Sequence, residues 1–459
     1  MNPSRLPFVK AKGRKRRHNR FLVDRPAFKM VSGTTEDIDM PVPGDFPKDG
    51  TEERESGMIG RIGRPGIMLA CAWLLGFALY CPMLCIPPMV HLIRGEFRAT
   101  HEAVGILFSL PMIMLVALAI PGGLLADRIG NRRAVAIGAV VMAAGSLLRG
   151  ASAGFGSLLA FTALYGVGYS IIYPNLPKLV SGWFPREKAG LATSVYATGI
   201  TIGAAVPLAV TLPLVLPLFH TVRGTLFAWG LPAALGAVVW LIVGRDPSGE
   251  VHDPRPLRGM TAPRPSRSLW ADKNMWLIAF LLFLNNVHFY TWSAWTPSLL
   301  MMKGATPQLA SLIASSRGWA SLPAMFLMPW FSYKVGLRKP FMWGSPLLLA
   351  VASAAALYMP VPWGWALMAV VGITLGGTFS MILALPLEML PKESVGAASG
   401  MVLSIGYLGG IVGPWLTGRI LDSTGSLDAA LVVLIVMALI WVVAGLLIPE
   451  TGARRLPRR

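Results

Sequence analysis

Charged residues are scarce in this chain: 14% of its 459 residues are charged, whereas 54% are hydrophobic. With a mean hydropathy of +0.59, this composition excludes an ordinary soluble protein and predicts many apolar spans. Cysteine is scarcer still, because Cys71, Cys81 and Cys85 all fall in one apolar segment. They fit neither a disulfide framework nor a zinc site. Walker P-loop, GxSxG and HExxH motifs are missing from the sequence, so we expect no enzyme activity, no cofactor and no metal.

Positive charge, in contrast, is in excess, with 41 Lys and Arg against 22 Asp and Glu and a formal net charge of +19. Nucleic acid is not the expected partner, because these residues fall mainly on one side of the predicted spans. The seven exceptions are Arg94, Arg98, Arg149, Arg223, Lys303, Arg317 and Arg419. Such asymmetry follows the positive-inside rule. We therefore predict a multi-pass protein of the cell (inner) membrane, with both termini cytoplasmic and the excess charge near anionic lipid.

Twelve apolar segments follow a polar tail. They cover 66–90, 103–126, 134–150, 154–180, 189–217, 222–244, 274–302, 308–331, 341–359, 363–388, 395–420 and 427–448. Most approach the roughly 20 residues that a membrane-spanning helix needs. The expected domains are a disordered cytoplasmic tail (1–65), an N-terminal six-helix bundle (66–244), a cytoplasmic linker (245–273), a C-terminal six-helix bundle (274–449) and a basic tail (450–459).

The loop between the second and third segments concentrates charge. Its sequence is Gly123-Leu-Leu-Ala-Asp127-Arg128-Ile-Gly130-Asn-Arg132-Arg133, in which Gly130 permits a tight reversal. An ordinary positive-inside loop would need only the arginines. The string resembles the signature between helices 2 and 3 of the major facilitator superfamily of twelve-helix secondary transporters. The resemblance implies a cytoplasmic latch that breaks and re-forms during transport, formed by Asp127, Arg128, Gly130, Arg132 and Arg133.

Two loops recur at a single spacing along the chain. Residues 127–133 align with 333–339, and 185–187 align with 391–393, both at an offset of 206. Such a repeat indicates a duplicated six-helix unit. We therefore predict an all-α membrane protein with twelve transmembrane helices in two pseudo-symmetric six-helix bundles. The GxxxG pairs Gly199/Gly203 and Gly406/Gly410 predict close helix packing at matching places.

A buried charge within a span is costly and therefore indicates function. No Asp or Glu falls mid-span, whereas Arg317 lies about nine residues, or roughly 13 Å, into the eighth segment. A guanidinium without a matching carboxylate needs an anion, and its planar fork suits a carboxylate or a small oxyanion. We expect Arg317 to bind an anionic substrate. Two alternatives are that it extends to the outer surface or that it bonds backbone carbonyls.

Further polar side chains are candidates to line the same substrate cavity. The full predicted set is Arg317, Asn285, His288, Trp292, Tyr165, Tyr169, Thr374 and Thr378. In the seventh segment, Asn285, His288 and Trp292 share one helical face with Trp295 because of their three- and four-residue steps. His288 titrates near neutrality in its ordinary state, which makes it the candidate for a co-transported proton. Helices 1, 4, 7 and 10 line the cavity in the superfamily that the loop resembles.

Residues 289–297, Phe-Tyr-Thr-Trp-Ser-Ala-Trp-Thr-Pro, resemble the helix 7 pattern of cyanate/nitroimidazole-type permeases. We therefore expect a secondary active transporter that works by alternating access and takes up a small organic or inorganic anion. The anion would move with a proton, by uniport or by exchange. The alternatives are an exporter of a neutral or hydrophobic compound and a non-transporting membrane receptor or scaffold.

Overall fold

The computed structural model describes residues 64–184, 186–246, 271–390 and 392–452. Within these ranges every regular element is a helix. The predicted tail at 1–65 lies almost wholly outside the described residues, and so do most of the predicted linker at 245–273 and of the basic tail at 450–459.

Nine helices form the described part of the first half. They are α1 (Arg64–Leu84), α2 (Val90–Phe97), α3 (His101–Ile129), α4 (Asn131–Leu148), α5 (Phe155–Trp183), α6 (Arg186–Val210), α7 (Leu216–Phe219), α8 (Val222–Ala228) and α9 (Leu231–Val243). Seven more form the described part of the second half. They are α10 (Lys273–Met302), α11 (Pro307–Val335), α12 (Lys339–Tyr358), α13 (Gly364–Met389), α14 (Lys392–Tyr407), α15 (Gly409–Thr424) and α16 (Leu427–Leu447).

Eleven helical stretches of the described chain are long and apolar enough to cross a membrane. The twelfth span is α11, which has 29 residues and is long enough at about 1.5 Å per residue. It is less apolar because it carries Arg317, Lys334 and several serines. The predicted twelve-helix fold is thus confirmed.

Some predicted segments are interrupted helices. The sixth divides into α8 and α9 around Gly230, where a Cβ would stand 2.9 Å from the backbone nitrogen of Leu147. The eleventh divides into α14 and α15. A π-helical turn, Thr211–Val215, follows α6 and contains Pro213, which has no N–H to donate to the helical ladder.

Glycines set the matching turns and contacts of the two halves. Gly130 separates α3 from α4 with φ +92°, and Gly336 ends α11 with φ +73°, a conformation that side chains with a Cβ disfavour. A Cβ on Gly203 would stand 2.3 Å from the Phe77 carbonyl oxygen of α1. A Cβ on Gly410 would stand 2.7 Å from the Tyr290 ring of α10. Both GxxxG pairs therefore lie at close helix contacts, as the sequence predicts.

Candidate functional site

Six of the nine tyrosines of the chain converge where the two halves meet. This central tyrosine cluster consists of Tyr80 from α1, Tyr165, Tyr169 and Tyr173 from α5, Tyr290 from α10 and Tyr407 from α14. The rings of Tyr169 and Tyr173 are stacked, with centroids 5.4 Å apart and planes 9° apart. Tyr80 meets Tyr169 edge to face at 6.0 Å. The cluster is therefore a continuous aromatic surface.

Two tyrosine hydroxyl pairs of this cluster join the first half to the second. The hydroxyl oxygens of Tyr80 and Tyr290 are 3.4 Å apart, and those of Tyr173 and Tyr407 are 2.5 Å apart. Each pair joins a residue of the first half to a residue of the second and therefore needs the halves to be close. Separation of the halves would break both pairs.

Arg317 of α11 lies beside this cluster. Its side chain is 2% exposed, its Nη2 donates to Ser293 Oγ at 2.7 Å, and its guanidinium carbon lies 4.4 Å from the centre of the Phe289 ring. Its Nε and Nη1 atoms are buried without hydrogen-bond partners. Among the described residues no carboxylate is paired with Arg317. The guanidinium is therefore inside the protein with unused donors.

The face of α10 that reaches the centre is not the one that the sequence favours. Asn285 Nδ2 donates to the Leu375 carbonyl of α13 at 3.1 Å, and His288 Nε2 lies 3.1 Å from the Leu434 carbonyl of α16. These side chains thus reach other helices of the second half. Phe289, Tyr290 and Ser293, about a quarter-turn around the helix, meet the centre instead.

His288 and Trp292 lie between helices of the second half. The Nδ1 atom of His288 is 2.8 Å from the Leu284 carbonyl, so both ring nitrogens face main-chain oxygen. Trp292 lines a cavity of about 20 Å³ between α10, α15 and α16, together with Trp295 and Leu434. That volume suits one water molecule and not a solute.

The other predicted residues also separate into two groups. Tyr165 and Tyr169 belong to the central tyrosine cluster; the Tyr165 hydroxyl donates to the Leu79 carbonyl, while the Tyr169 hydroxyl is buried without a partner. Thr374 and Thr378 donate to carbonyls of their own helix, at 2.9 Å and 2.5 Å. The threonine hydroxyls are therefore already satisfied within α13.

A second buried arginine was not anticipated. Arg149 falls at the end of the third predicted segment (134–150) and was not singled out there, but its side chain is fully buried, so the expectation of a single buried arginine is wrong. Its Nη1 donates to the Pro82 carbonyl, two residues before α1 ends, where carbonyls lack helical partners. The sequence feature that could have indicated this contact is the end of α1, where Pro82, Pro87 and Pro88 interrupt the helix.

The predicted latch residues lie at one end of the molecule, here called the Asp127 end. Asp127 pairs with Lys178 of α5 at 2.8 Å, and the Arg132 backbone N–H donates to Asp246 at 3.2 Å. Arg128 and Arg133 are exposed. All of these residues belong to the first half, so the described contacts of this loop do not reach the second half.

At the opposite end, here called the His101 end, the halves are tied together. Asp422 of α15 accepts from the backbone N–H groups of His101 and Glu102 at 3.0 Å and 2.7 Å. It also contacts His101 Nδ1 at 2.7 Å. The Trp415 indole donates to Glu102 at 2.8 Å. A carboxylate at the N-terminus of α3 is stabilised by the unpaired N–H groups and the helix dipole, so this end is closed.

Comparison with known proteins agrees with this architecture. The chain is 31% identical over 381 residues to the uncharacterised transporter YycB of Bacillus subtilis, covering 81% of this chain and 90% of that protein. It is 25% identical to the cyanate transport protein CynX and 26% identical to the 2-nitroimidazole transporter, both of Escherichia coli, over 78% of this chain and 91% and 89% of theirs.

A bacterial homologue of the lysosomal transporter Spinster, solved in an inward-facing and unoccupied conformation, superimposes with a TM-score of 0.72. The two share 16% identity over 87% of this chain and all of the other, which bears on the fold alone. The profile of the Major Facilitator Superfamily matches residues 68–306 and 300–458. With the fold, these matches show that the chain belongs to the Major Facilitator Superfamily and is a multi-pass membrane transporter of small molecules.

Proposed function

We propose that this transporter takes up a small organic or inorganic anion that binds at Arg317. The observation that carries the proposal is the buried guanidinium with two unpartnered nitrogens and no paired carboxylate among the described residues. A buried charge is costly unless it is paired. An anionic substrate supplies the missing charge while it is bound and removes it when it leaves.

The names of two relatives are consistent with an anionic substrate. The cyanate transport protein of Escherichia coli and the hexuronate transporter of Bacillus subtilis, 25% identical each, have names that denote anions. The distribution of Lys and Arg favours a cytoplasmic Asp127 end and cytoplasmic termini. On that orientation the structure is closed toward the outside, and Arg317 would be reached from the cytoplasm when the central tyrosine cluster opens.

The driving force is expected to be an ion or substrate gradient, and co-transport of a proton is part of the proposal. His288 is the predicted proton carrier, although it lies between the carbonyls of Leu284 and Leu434. Uniport or exchange is the alternative. An uptake rate that does not change with external pH would exclude the proton.

Counterflow into liposomes tests the anion proposal directly. Purified protein would be screened with cyanate, nitrite, small carboxylates and neutral amides. Arg317→Gln should lower anion counterflow at least 100-fold, because it removes the charge from the site, whereas Arg317→Lys should retain part of it. Arg419→Gln is the matched control, since Arg419 is exposed. Undiminished anion transport by Arg317→Gln would overturn the proposal.

Export of a neutral or hydrophobic compound is the second candidate function. The aromatic surface of the central tyrosine cluster favours it, because rings and hydroxyls bind uncharged solutes well. An exporter of this kind would keep its transport in Arg317→Gln. Transport of neutral amides that survives this substitution would therefore select the second candidate.

A further inference from the structure

The chemical surroundings of Arg317 restrict the anion further, and this inference rests on the proposed function. We propose that the substrate is a planar, conjugated monocarboxylate, in which an aromatic ring stacks within the central tyrosine cluster while the carboxylate meets Arg317. Tyr169 and Tyr173 are then specificity-determining residues.

Charge limits the substrate to one negative group. Among the described residues, Arg317 is the arginine whose guanidinium contacts Phe289 and Ser293 at the centre. Arg149, the other fully buried arginine of the described chain, donates from Nη1 to the Pro82 carbonyl in the first half, and its Nε and Nη2 atoms have no partner there. The two unpartnered donors of Arg317 match one carboxylate. A second carboxylate beside Phe289 and Ser293 would carry its desolvation cost alone.

A path of aromatic rings leads away from the charge. Phe289 packs on Arg317 at 4.4 Å and meets Tyr290 at 5.1 Å. Tyr290 reaches Tyr80 through their hydroxyls, and Tyr80 meets Tyr169 at 6.0 Å. These contacts make one path of rings from the guanidinium to the stacked pair Tyr169 and Tyr173. A planar ring extends such a stack and gains edge and face contacts that a puckered ring lacks.

Most polar side chains of the described centre are already engaged with the protein and leave few groups for a substrate with many hydroxyls. The sequence has a single glutamine, Gln308, at the start of α11, where it is exposed. The Asn285 and Asn286 amide nitrogens donate to the carbonyls of Leu375 and Gly406, so these amides already hold the fold together. A sugar acid would leave its hydroxyls poorly paired here, which costs binding energy. A ring with few polar substituents avoids that cost.

The Tyr169 hydroxyl independently indicates a ligand. It is fully buried, and it has no hydrogen-bond partner, although the neighbouring hydroxyls of Tyr165, Tyr173, Tyr80 and Tyr290 all have one. A buried hydroxyl without a partner is unfavourable. A bound solute, or the water that comes with it, would satisfy this group.

A pair of probes with equal charge and similar size tests the inference. Benzoate and cyclohexanecarboxylate would be titrated into the purified full chain in nanodiscs, with benzamide as the uncharged probe. We expect benzoate to bind at least tenfold more tightly than cyclohexanecarboxylate. Greater hydrophobicity would favour the cyclohexane ring, so a preference for benzoate isolates planarity and π contacts.

Substitutions identify which residues produce the preference for benzoate. Tyr169→Leu should weaken benzoate about tenfold and leave cyclohexanecarboxylate nearly unchanged, which also shows that the variant folds. Tyr358→Leu is the control, because Tyr358 is 87% exposed. Equal affinity for benzoate and cyclohexanecarboxylate, or no binding of either, overturns the inference. Equal affinity for benzoate and benzamide overturns the anion proposal instead, so the two failures are distinguishable.

Discussion

The two ends of the bundle use carboxylates in opposite ways. At the His101 end, Asp422 of the second half accepts three hydrogen bonds from the start of α3 in the first half. At the Asp127 end, Asp127 pairs with Lys178 inside the first half, and Glu388 pairs with Arg338 inside the second. Within the part of the chain that the structure describes, the first arrangement joins the two halves, whereas each ion pair of the second lies inside one half. A transporter that must open one end at a time needs this difference.

Among the substitutions that test this comparison, loss of Asp422 should have the largest effect on the population of the closed state. Asp422→Ala removes hydrogen bonds between a charged group and the N-terminus of α3, worth about 2 kcal/mol in total, so the closed population should fall roughly 30-fold. Ser109 is a suitable reporter, because it is buried and donates to the Ile411 carbonyl across the two halves.

The measurement is thiol labelling of Ser109→Cys after Cys71, Cys81 and Cys85 have been replaced. Labelling should be roughly 30-fold faster when Asp422→Ala is added, provided that opening is fast compared with labelling. Asp428→Asn, an exposed acid at the same end, should leave the rate unchanged. Equal labelling with and without Asp422 would show that this carboxylate does not hold the halves together.

Substitution of Glu450 should have an intermediate effect, which is confined to the stability of the second half. Burial opposes ionisation of its carboxyl, but N–H donors from Arg338, Gly452 and Lys339 outweigh burial and lower the pKa of Glu450. A lowered pKa in the folded state stabilises the protein above the unfolded pKa, about 4.3, and this stability is lost as the pH falls through the folded value.

Glu450→Gln should therefore cost about 1 kcal/mol at pH 7 and flatten the loss of stability below about pH 4.3. Thermal unfolding in detergent, followed by circular dichroism from pH 3 to pH 7, gives both quantities. The Ser109→Cys labelling rate should not respond, since Glu450 contacts its own half. An increased rate would mean that the Asp127 end also couples the halves in this state.

Neutralising Asp127 should have the smallest effect on the closed state. The side chains of Asp127 and Lys178 are 62% and 46% exposed, and such pairs contribute about 0 to 1 kcal/mol. Asp127→Asn should change the melting temperature little and leave Ser109→Cys labelling as it was, while high salt should abolish any difference. A labelling change comparable to that of Asp422→Ala would show that the Asp127 end holds the halves together as well.

Much of the fold was accessible from the sequence because it depends on local chemistry. Apolar length predicts the spans, and the offset of 206 between loops predicts the repeat, which Gly130 and Gly336 match with positive φ values. Arg317 could be identified for the same reason, because a charged residue within an apolar segment is recognisable from the sequence without knowledge of its neighbours in space. Arg149 could not, because its burial depends on a contact with the Pro82 carbonyl of another helix, which the sequence does not show.

Sequence alone therefore determined the helices and the presence of a cation within the spans, since both follow from the solubility of side chains in lipid. It also determined the duplication, because the repeated loops keep one spacing along the chain. Tertiary structure decided which side of α10 meets the centre, which carboxylates bridge the halves, and that six tyrosines form one surface. Polar side chains such as Asn285, His288 and Ser293 stand on several sides of α10, so its pattern does not single out one orientation. Only the packing of neighbouring helices fixes which of them meet the centre.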